Sequence, residues 1–333
     1  MRIRLLAAAA LTMGAFAGAA SAAAPTGTQA QGIVDIYTNL AYEGAAAAGT
    51  GMVLTPSGEV LTNNHVIKGA TTIRVTVPGS SHRYPATVVG YSVASDVAVL
   101  QVTGAANMQT VSLGDSASVK RGDSVTAVGN AEGVGGTPSA VDGKVTGLGR
   151  SITAVDDNRH AERLTGLIQT DAAIEPGDSG GPLLDTDGKV VGMNTAASQN
   201  YEFNGGAAQA YAIPIDHAMA IVKQIVAGQV SAAVHVGDTP FIGISVSDPG
   251  TRFCPVDSGL CVDSVVRSSP ADRAGIAEGD LLTTLNGRKL VSSTVLTNLL
   301  LRSSVGDTVK VGVVDGDGTR STTSVTLASG PPQ

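Results

Sequence analysis

Tryptophan is absent from this sequence of 333 residues, and all aromatic residues together make up only 3%. The core must therefore be built from Val, Ile, Leu and Ala, and 42 glycines indicate many tight turns between short elements. This combination favours β architecture. Charged residues amount to 15%, below the roughly 25% of average domains. No basic patch interleaved with aromatic residues occurs, which argues against a nucleic-acid partner.

Long apolar runs are also scarce, and the clearest one extends from Leu5 to Ala20. It follows a basic start and ends in Ala20-Ser21-Ala22, a small-x-small pattern typical of a cleaved export signal. We expect a signal peptide over residues 1–22, and a secreted or cell-envelope protein with no stable membrane span after cleavage. An uncleaved membrane anchor is the alternative, although a bilayer span needs about 20 apolar residues.

Cysteine occurs only twice, as Cys254 and Cys261. In an oxidising, exported setting such a pair most simply closes a loop as a disulfide. Two thiols without nearby histidines do not make a tetrahedral metal site. The sequence therefore predicts a disulfide, and neither a metal nor an organic cofactor is expected.

Three short segments carry the chemistry of the chain. The segment Gly177-Asp178-Ser179-Gly180-Gly181 follows two others, which contain His65 after Thr62-Asn63-Asn64 and Asp96 before Val97-Ala98-Val99. A serine hydroxyl needs an imidazole to take its proton and a carboxylate to orient that imidazole. We interpret Ser179 as nucleophile, His65 as general base and Asp96 as orienting acid. The N–H groups of Gly177 and Ser179 are the candidate oxyanion donors.

The same glycine-serine-glycine pattern also fits the nucleophile elbow of α/β-hydrolases, with His217 as a base downstream. An elbow needs an apolar strand that runs directly into the serine. Here Pro176 interrupts the approach, and proline cannot donate to a strand ladder. His217 lies where an apolar stretch opens a predicted helix, so the context favours the order His, Asp, Ser.

Short apolar segments with Gly and Pro between them form two sets, the first ending near Val102 and the second beginning near Ser124. This spacing is typical of β-barrels. Apolar residues at helical spacing then predict a helix over residues 214–228, ending at a glycine. Residues 229–239 are rich in small side chains and are predicted to be a linker.

The three segments, with Gln169–Ile174 before the serine and Val191–Ala196 after it, resemble the HtrA/DegP family of trypsin-like serine proteases, in particular secreted forms with one PDZ domain. The likeness extends from about Gly49 to about Leu327. It implies an all-β protease of two chymotrypsin-like six-stranded β-barrels over residues 33–228. An α+β PDZ domain over residues 240–330 would follow. The resemblance also implies a substrate pocket bordered by Ala173, Ile174, Ala197 and Ser198.

The segment Phe241-Ile242-Gly243-Ile244 resembles the carboxylate-binding loop of a bacterial PDZ domain. Later segments around Pro270 and Asp280 resemble the rest of that domain. Backbone amides in such a loop receive the terminal carboxylate of a peptide, and the adjacent strand edge pairs with the peptide backbone. Peptide C-termini are therefore the expected ligands.

The resulting prediction is an exported serine endopeptidase that hydrolyses unfolded or damaged proteins through an acyl-enzyme, in a quality-control role. By resemblance, the polar loop Val155–Arg163 is a sensor that orders the active site. The resemblance also implies that the protein assembles as a homotrimer or a larger oligomer. The single PDZ domain and few aromatics over residues 32–51 depart from the large double-PDZ members and leave the oligomeric state open. A non-proteolytic PDZ peptide-binding chaperone or scaffold, and an esterase using the same triad, are the alternatives.

Overall fold

A computed structural model describes residues 31–155, 161–195 and 209–333. The chain divides into two compact units, Met1–Val236 and Gly237–Gln333. Within the described ranges, no helix has the length and apolar character needed to cross a membrane.

The first unit is mostly β. Its strands are β1 (Ile33–Leu40), β2 (Ala45–Val53), β3 (Glu59–Thr62), β4 (Thr72–Thr76), β5 (Arg83–Ser92), β6 (Val97–Val102), β7 (Ser124–Gly129), β8 (Ser139–Val155), β9 (Ala161–Thr170), β10 (Pro182–Leu184), β11 (Val190–Thr195), β12 (Ala210–Pro214) and β13 (His235–Val236). Its α-helices are α1 (Asn64–Ile67) and α2 (Ile215–Val226). Two 3₁₀ turns lie at Ser116–Ser118 and Ala131–Gly133.

The first six strands close into a ring. They run in the order β5-β4-β1-β2-β3-β6, and β6 pairs again with β5. All neighbours are antiparallel, and Ile33 on β1 faces Met52 on β2 in the register. Both side chains are buried, as expected for a strand face that points into a barrel.

The next six strands form a closed barrel in the order β10-β11-β12-β9-β8-β7. One cluster of buried side chains includes Leu61 and Val99 from the first ring together with Val128 and Met193 from the second. Helix α2 joins this cluster through residues spaced three and four apart, such as Ile221 and Ile225. The prediction of two six-stranded barrels followed by a helix is confirmed.

The second unit combines β-sheets with two short helices. Its elements are β14 (Thr239–Phe241), β15 (Ile244–Ser247), β16 (Leu260–Val265), α3 (Pro270–Arg273), β17 (Leu281–Leu285), β18 (Arg288–Lys289), α4 (Ser293–Leu300), β19 (Thr308–Val314), β20 (Arg320–Thr326) and β21 (Ala328–Gly330). The larger sheet has the order β15-β16-β17-β19-β20, with β18 paired to β17, and β14 pairs with β21. The second unit has an apolar core of its own, in which Leu296 and Leu300 of α4 pack with Leu260 and Val311. The expected α+β architecture is present.

The segment predicted as a linker is partly structured. His235 and Val236 pair with Tyr91 and Gly90 and extend the edge of β5. The Tyr91 and His235 rings lie 5.1 Å apart. Residues 229–239 were predicted to be a linker, but the part of β5 beyond its pairing with β4 offers backbone hydrogen-bond partners that a sequence pattern does not reveal.

Candidate active site

His65 lies on α1, a single helical turn that follows β3. Val66 and Ile67 on this turn are buried and hold it against the first barrel. The His65 side chain is 42% exposed. Its backbone N–H donates to Asp96 Oδ1 at 3.0 Å, so the turn is attached to the same carboxylate that the ring contacts.

Asp96 occupies the turn between β5 and β6, and it is only 3% exposed. Its φ of 52° is left-handed, a conformation that aspartate adopts more readily than most residues. Its Oδ2 lies 2.9 Å from His65 Nδ1, and its Oδ1 lies 3.1 Å from the same atom. Because an ionised carboxylate only accepts hydrogen bonds, a neutral His65 ring carries its proton on Nδ1 and has Nε2 as its basic nitrogen.

Two further side chains hold Asp96, and the sequence-based prediction did not include them. Thr195 Oγ1, at the end of β11, donates to Asp96 Oδ2 at 3.1 Å. Asn63 Nδ2 donates to the Asp96 carbonyl at 2.9 Å. Threonine at a strand end and asparagine before a helical turn are common, so these residues gave no specific sequence signal.

Ser179 lies in a tight loop before β10 and is 4% exposed. Gly177 has a φ of 100° and Gly180 a φ of 86°. A Cβ at Gly177 would collide with the Asn130 carbonyl oxygen, and one at Gly180 with the Thr50 carbonyl oxygen. Both the conformation and the lack of space require glycine, which gives the motif its physical reason.

The two candidate oxyanion donors are the N–H groups that follow Pro176 and Asp178. Glu132 N donates to Pro176 O at 2.6 Å, and Gly181 N donates to Asp178 O at 3.0 Å. In a planar trans peptide the N–H points away from the C=O. Fixing each carbonyl therefore fixes the direction of the adjoining N–H. Such donors can stabilise an oxygen on which negative charge develops.

The serine loop lies against β2 of the first barrel. Thr50 N donates to Ser179 O at 2.9 Å. A Cβ on the neighbouring Gly49 would lie 3.3 Å from Ser179 O and 2.7 Å from a methyl group of Val66, the residue after His65. The absence of a side chain at Gly49 thus lets the histidine turn and the serine loop approach each other. The segments that contain His65 and Ser179 therefore meet at Gly49, and Asp96 contacts the His65 ring.

The Asp178 carboxylate is buried beneath the serine loop. It accepts hydrogen bonds from Glu175 N at 3.0 Å and from Ser139 Oγ at 3.4 Å. Burial raises its pKa to about 6. Ile33 and Val34 lie inside β1, where they pair with Met52 and Gly51 of β2.

The predicted substrate pocket is only partly described. Ala173 is exposed and Ile174 is half-buried, with its side chain packed on the core of the second barrel. Ala197 and Ser198 lie outside the described residues, as do the signal peptide and residues 156–160 of the predicted sensor loop. The pocket assignment therefore stays a prediction.

His217, the base required by the elbow alternative, lies on α2. Its Nε2 is 3.3 Å from Ser95 Oγ. The approach to Ser179 contains no strand after β9 ends at Thr170. The structure thus pairs Asp96 with His65, and the elbow interpretation is not supported by the strand order.

In the second unit, the predicted carboxylate-binding residues form the turn from β14 to β15. The Ile242 carbonyl accepts from Ala271 N, and the Gly243 carbonyl accepts from Val266 N, both at 2.9 Å. The N–H groups of Gly243 and Ile244 belong to the same planar peptides and point the opposite way. Phe241 is half-buried at the end of β14. The N–H groups of these two successive residues are the candidate donors to a carboxylate.

Cys254 and Cys261 are bonded to each other in this unit. Cys254 is fully buried. Cys261 lies on β16, where it pairs with Ser247 on β15 and with Leu281 on β17. The disulfide therefore closes a loop directly beside the strand that follows the carboxylate-binding turn.

Each of the two units matches a known protein family. Residues 49–193 match the family described as "Trypsin-like peptidase domain", and residues 240–327 match the family described as "PDZ domain".

Among curated proteins, "Protease Do-like 1, chloroplastic" of Arabidopsis thaliana is 35% identical over 311 residues, covering 89% of this chain and 67% of the relative. "Periplasmic serine endoprotease DegP" of Escherichia coli (strain K12) is 33% identical over 272 residues, covering 80% of this chain and 54% of the relative. "Serine protease Do-like HtrA" of Bacillus subtilis (strain 168) is 30% identical over 269 residues, covering 77% of this chain and 57% of the relative. The chain thus spans little more than half the length of these two bacterial relatives.

Solved structures of proteases are also similar to this chain. "HtrA-type protease AlgW with tripeptide" has a TM-score of 0.51 and 28% identity, over 91% of this chain and 95% of that chain. The serine endoprotease from Yersinia pestis has a TM-score of 0.50 and 25% identity, over 92% of this chain and 98% of that chain.

Proposed function

Because the chain belongs to the HtrA/DegP family of trypsin-like serine proteases with a PDZ domain, we propose that it is an endopeptidase that cleaves unfolded or damaged proteins through an acyl-enzyme intermediate. One observation carries this proposal: the buried Asp96 carboxylate binds His65 Nδ1 at 2.9 Å. The same site contains a serine loop whose candidate oxyanion donors have fixed directions.

In the proposed reaction, Ser179 Oγ attacks the scissile carbonyl while His65 Nε2 takes its proton. Asp96 keeps the His65 ring in place and stabilises the imidazolium that forms. The N–H groups of Gly177 and Ser179 bind the oxyanion, each contributing about 3–4 kcal/mol to transition-state stabilisation. His65 then protonates the leaving amine, and water hydrolyses the acyl-enzyme by the reverse sequence.

The direct test replaces Ser179 by alanine. Ser179→Ala should lower kcat on casein by on the order of a million-fold, since the triad acts as a unit. It should also abolish labelling by a fluorophosphonate. Ser112→Ala, at an exposed serine of the same unit, is the control and should behave like the wild type. Residual cleavage by Ser179→Ala above about one per cent of wild type would contradict the assignment.

The same assay separates the two alternative functions. A non-proteolytic chaperone or scaffold would bind unfolded casein without cutting it, and Ser179 would not be labelled. An esterase would hydrolyse a p-nitrophenyl ester and leave casein intact. Both results would overturn the proposed endopeptidase activity.

We propose further that the second unit binds the C-termini of peptides in the groove beside β15. Strand β15 ends the order of the larger sheet, so an added peptide strand can pair with it. Ile244 and Val246 on β15, with Val295 and Leu299 on α4, are apolar and only partly buried. These side chains suit the apolar end of a peptide, and the N–H groups of Gly243 and Ile244 suit its carboxylate.

A pair of peptides tests this binding mode. A fluorescent peptide with an apolar C-terminal residue and a free carboxylate should bind the full chain, as measured by anisotropy. The same peptide with a C-terminal amide should bind at least about tenfold more weakly, because it lacks the charge-assisted hydrogen bonds. Equal binding of the two peptides would exclude carboxylate recognition.

We also place the protein outside the cytoplasm, by analogy with relatives named as periplasmic proteases. Mass spectrometry of material from the cell envelope and medium should then find a mature N-terminus at Ala23. A homotrimer is proposed from the family resemblance, and light scattering on the purified chain measures it directly.

A further inference from the structure

A buried hydroxyl group of the first barrel lies where the serine loop meets the rest of the unit. Thr50, on β2, is fully buried. Its Oγ1 donates to Gly177 O at 2.7 Å and accepts from Asn130 N at 2.8 Å. Its backbone N–H donates to Ser179 O at 2.9 Å. One residue of the first barrel therefore bonds three backbone groups of the second.

Two of these bonds lie on either side of the Ser179 N–H. Gly177 O belongs to the peptide group before Asp178, and Ser179 O belongs to the peptide group before Gly180. The peptide between them carries the Ser179 N–H, one of the two oxyanion donors. Because peptide groups are planar, holding the groups on both sides with Thr50 restrains the direction of this N–H.

The third bond leads to the other donor. Asn130 Oδ1 accepts from Gly135 N at 2.7 Å, which closes the turn that contains Glu132. Glu132 N then donates to Pro176 O at 2.6 Å, and the Pro176 carbonyl shares its peptide group with the first oxyanion N–H. Thr50 Oγ1 is thus linked to the Ser179 N–H through the adjoining Gly177 carbonyl, and to the Gly177 N–H through the turn that begins at Asn130.

We propose that Thr50 is a positioning residue for hydrolysis, whose hydroxyl group keeps the two oxyanion N–H groups in the direction that the transition state requires. The inference rests on the proposed function. Strand propensity does not explain the residue, because valine fits a buried strand equally well. Valine cannot donate to Gly177 O or accept from Asn130 N.

A matched pair of variants isolates the hydroxyl group. Thr50→Val keeps the shape of the side chain and removes the hydroxyl, whereas Thr50→Ser keeps the hydroxyl and removes a methyl group. Complete loss of one oxyanion donor costs about 10²–10³ in kcat. With both donors present but misdirected, Thr50→Val should lower kcat on a chromogenic peptide about 10–100-fold with little change in KM. Thr50→Ser should stay within about threefold of wild type.

Binding of a peptide aldehyde separates positioning from a general loss of structure. Its adduct with Ser179 places an oxygen between the two donors, whereas an amine-side product peptide with an amidated C-terminus presents no carboxylate oxygen to them. Thr50→Val should weaken binding of the aldehyde by about the same factor as it lowers kcat, and it should leave binding of the product peptide unchanged. Circular dichroism melting gives the folded fraction. If Thr50→Val is unfolded at the assay temperature, Thr50→Cys replaces it, because a thiol is a weak hydrogen-bond group.

The outcomes separate this inference from the proposed function. If the folded Thr50→Val retains wild-type kcat and aldehyde affinity, or if Thr50→Ser loses as much as Thr50→Val, the positioning role is wrong while Ser179-dependent cleavage stands. If the wild type does not cleave, or if Ser179→Ala cleaves equally well, the proposed function fails and this inference fails with it.

Discussion

The two units of the chain build their candidate sites from different parts of the polypeptide. In the protease unit the chemistry depends on buried polar side chains, with Asp96 and Thr50 bonded on several sides. In the PDZ unit the candidate site is made of backbone N–H groups at Gly243 and Ile244, beside a sheet edge.

This difference determines how each site can fail. A buried polar network is sensitive to single atoms, since one missing partner leaves another group unsatisfied in a low dielectric. A backbone site depends instead on the stability of the elements that hold it. Single side-chain changes should therefore alter turnover in the protease unit by orders of magnitude, while the PDZ unit should respond mainly to changes in its stability.

The largest effect after loss of Ser179 is expected from Asp96→Asn. The amide can donate to the histidine and thus favour the wrong tautomer, which should lower kcat about 10⁴-fold. Peptide binding by the PDZ unit should be unchanged. Steady-state kinetics and peptide anisotropy on the same sample measure both quantities. Asp187→Asn, at an exposed aspartate, is the control, and a loss below about tenfold for Asp96→Asn would contradict its role.

A smaller effect, confined to the other unit, is expected from removal of the disulfide. In the double variant Cys254→Ala/Cys261→Ala, loss of the loop closure should lower the free energy of unfolding of the PDZ unit by roughly 2–3 kcal/mol. Peptide C-termini should bind more weakly, because Cys261 pairs with Ser247 on β15, the strand beside the proposed groove.

Calorimetry of the full chain should resolve the PDZ melting step for this test. Hydrolysis of a short chromogenic peptide should stay at the wild-type rate, since the described part of the protease unit contains no cysteine. An unchanged PDZ melting step, or an equal loss of proteolysis, would show that the two units do not differ in this way.

The smallest expected effect concerns Asp35 on β1. It is 2% exposed, and its Oδ1 has no hydrogen-bond partner among the described residues. Burial raises its pKa from 3.8 to about 6. The folded state therefore binds the proton more tightly than the unfolded chain, so the free energy of unfolding should rise as the pH falls from about 6 towards 4.

Asp35→Asn should remove this contribution. The variant should melt above the wild type at pH 7.5, by an amount corresponding to about 1–3 kcal/mol, and the difference should vanish below pH 4. The control Asp187→Asn retains Asp35, so its melting temperature should follow that of the wild type across this pH range. Melting of the protease unit across this pH range measures the effect, and parallel curves for wild type and Asp35→Asn would contradict it.

Much of the architecture and the triad could be predicted from contiguous residues. Turn glycines, strand alternation and the segments around His65, Asp96 and Ser179 are local patterns, and their order along the chain distinguishes this triad from an α/β-hydrolase elbow. The helix over 214–228 follows from its apolar spacing in the same way, and the structure places α2 at Ile215–Val226.

The supporting residues were decided only by the tertiary structure. Thr50 is 127 residues from its partner Gly177, and Thr195 is 99 residues from Asp96. In the sequence each is one more threonine in a β segment, a residue that strands favour for reasons unrelated to catalysis. Closure of the two barrels selects which hydroxyl groups meet the active-site backbone, because that choice depends on register and burial across the whole unit.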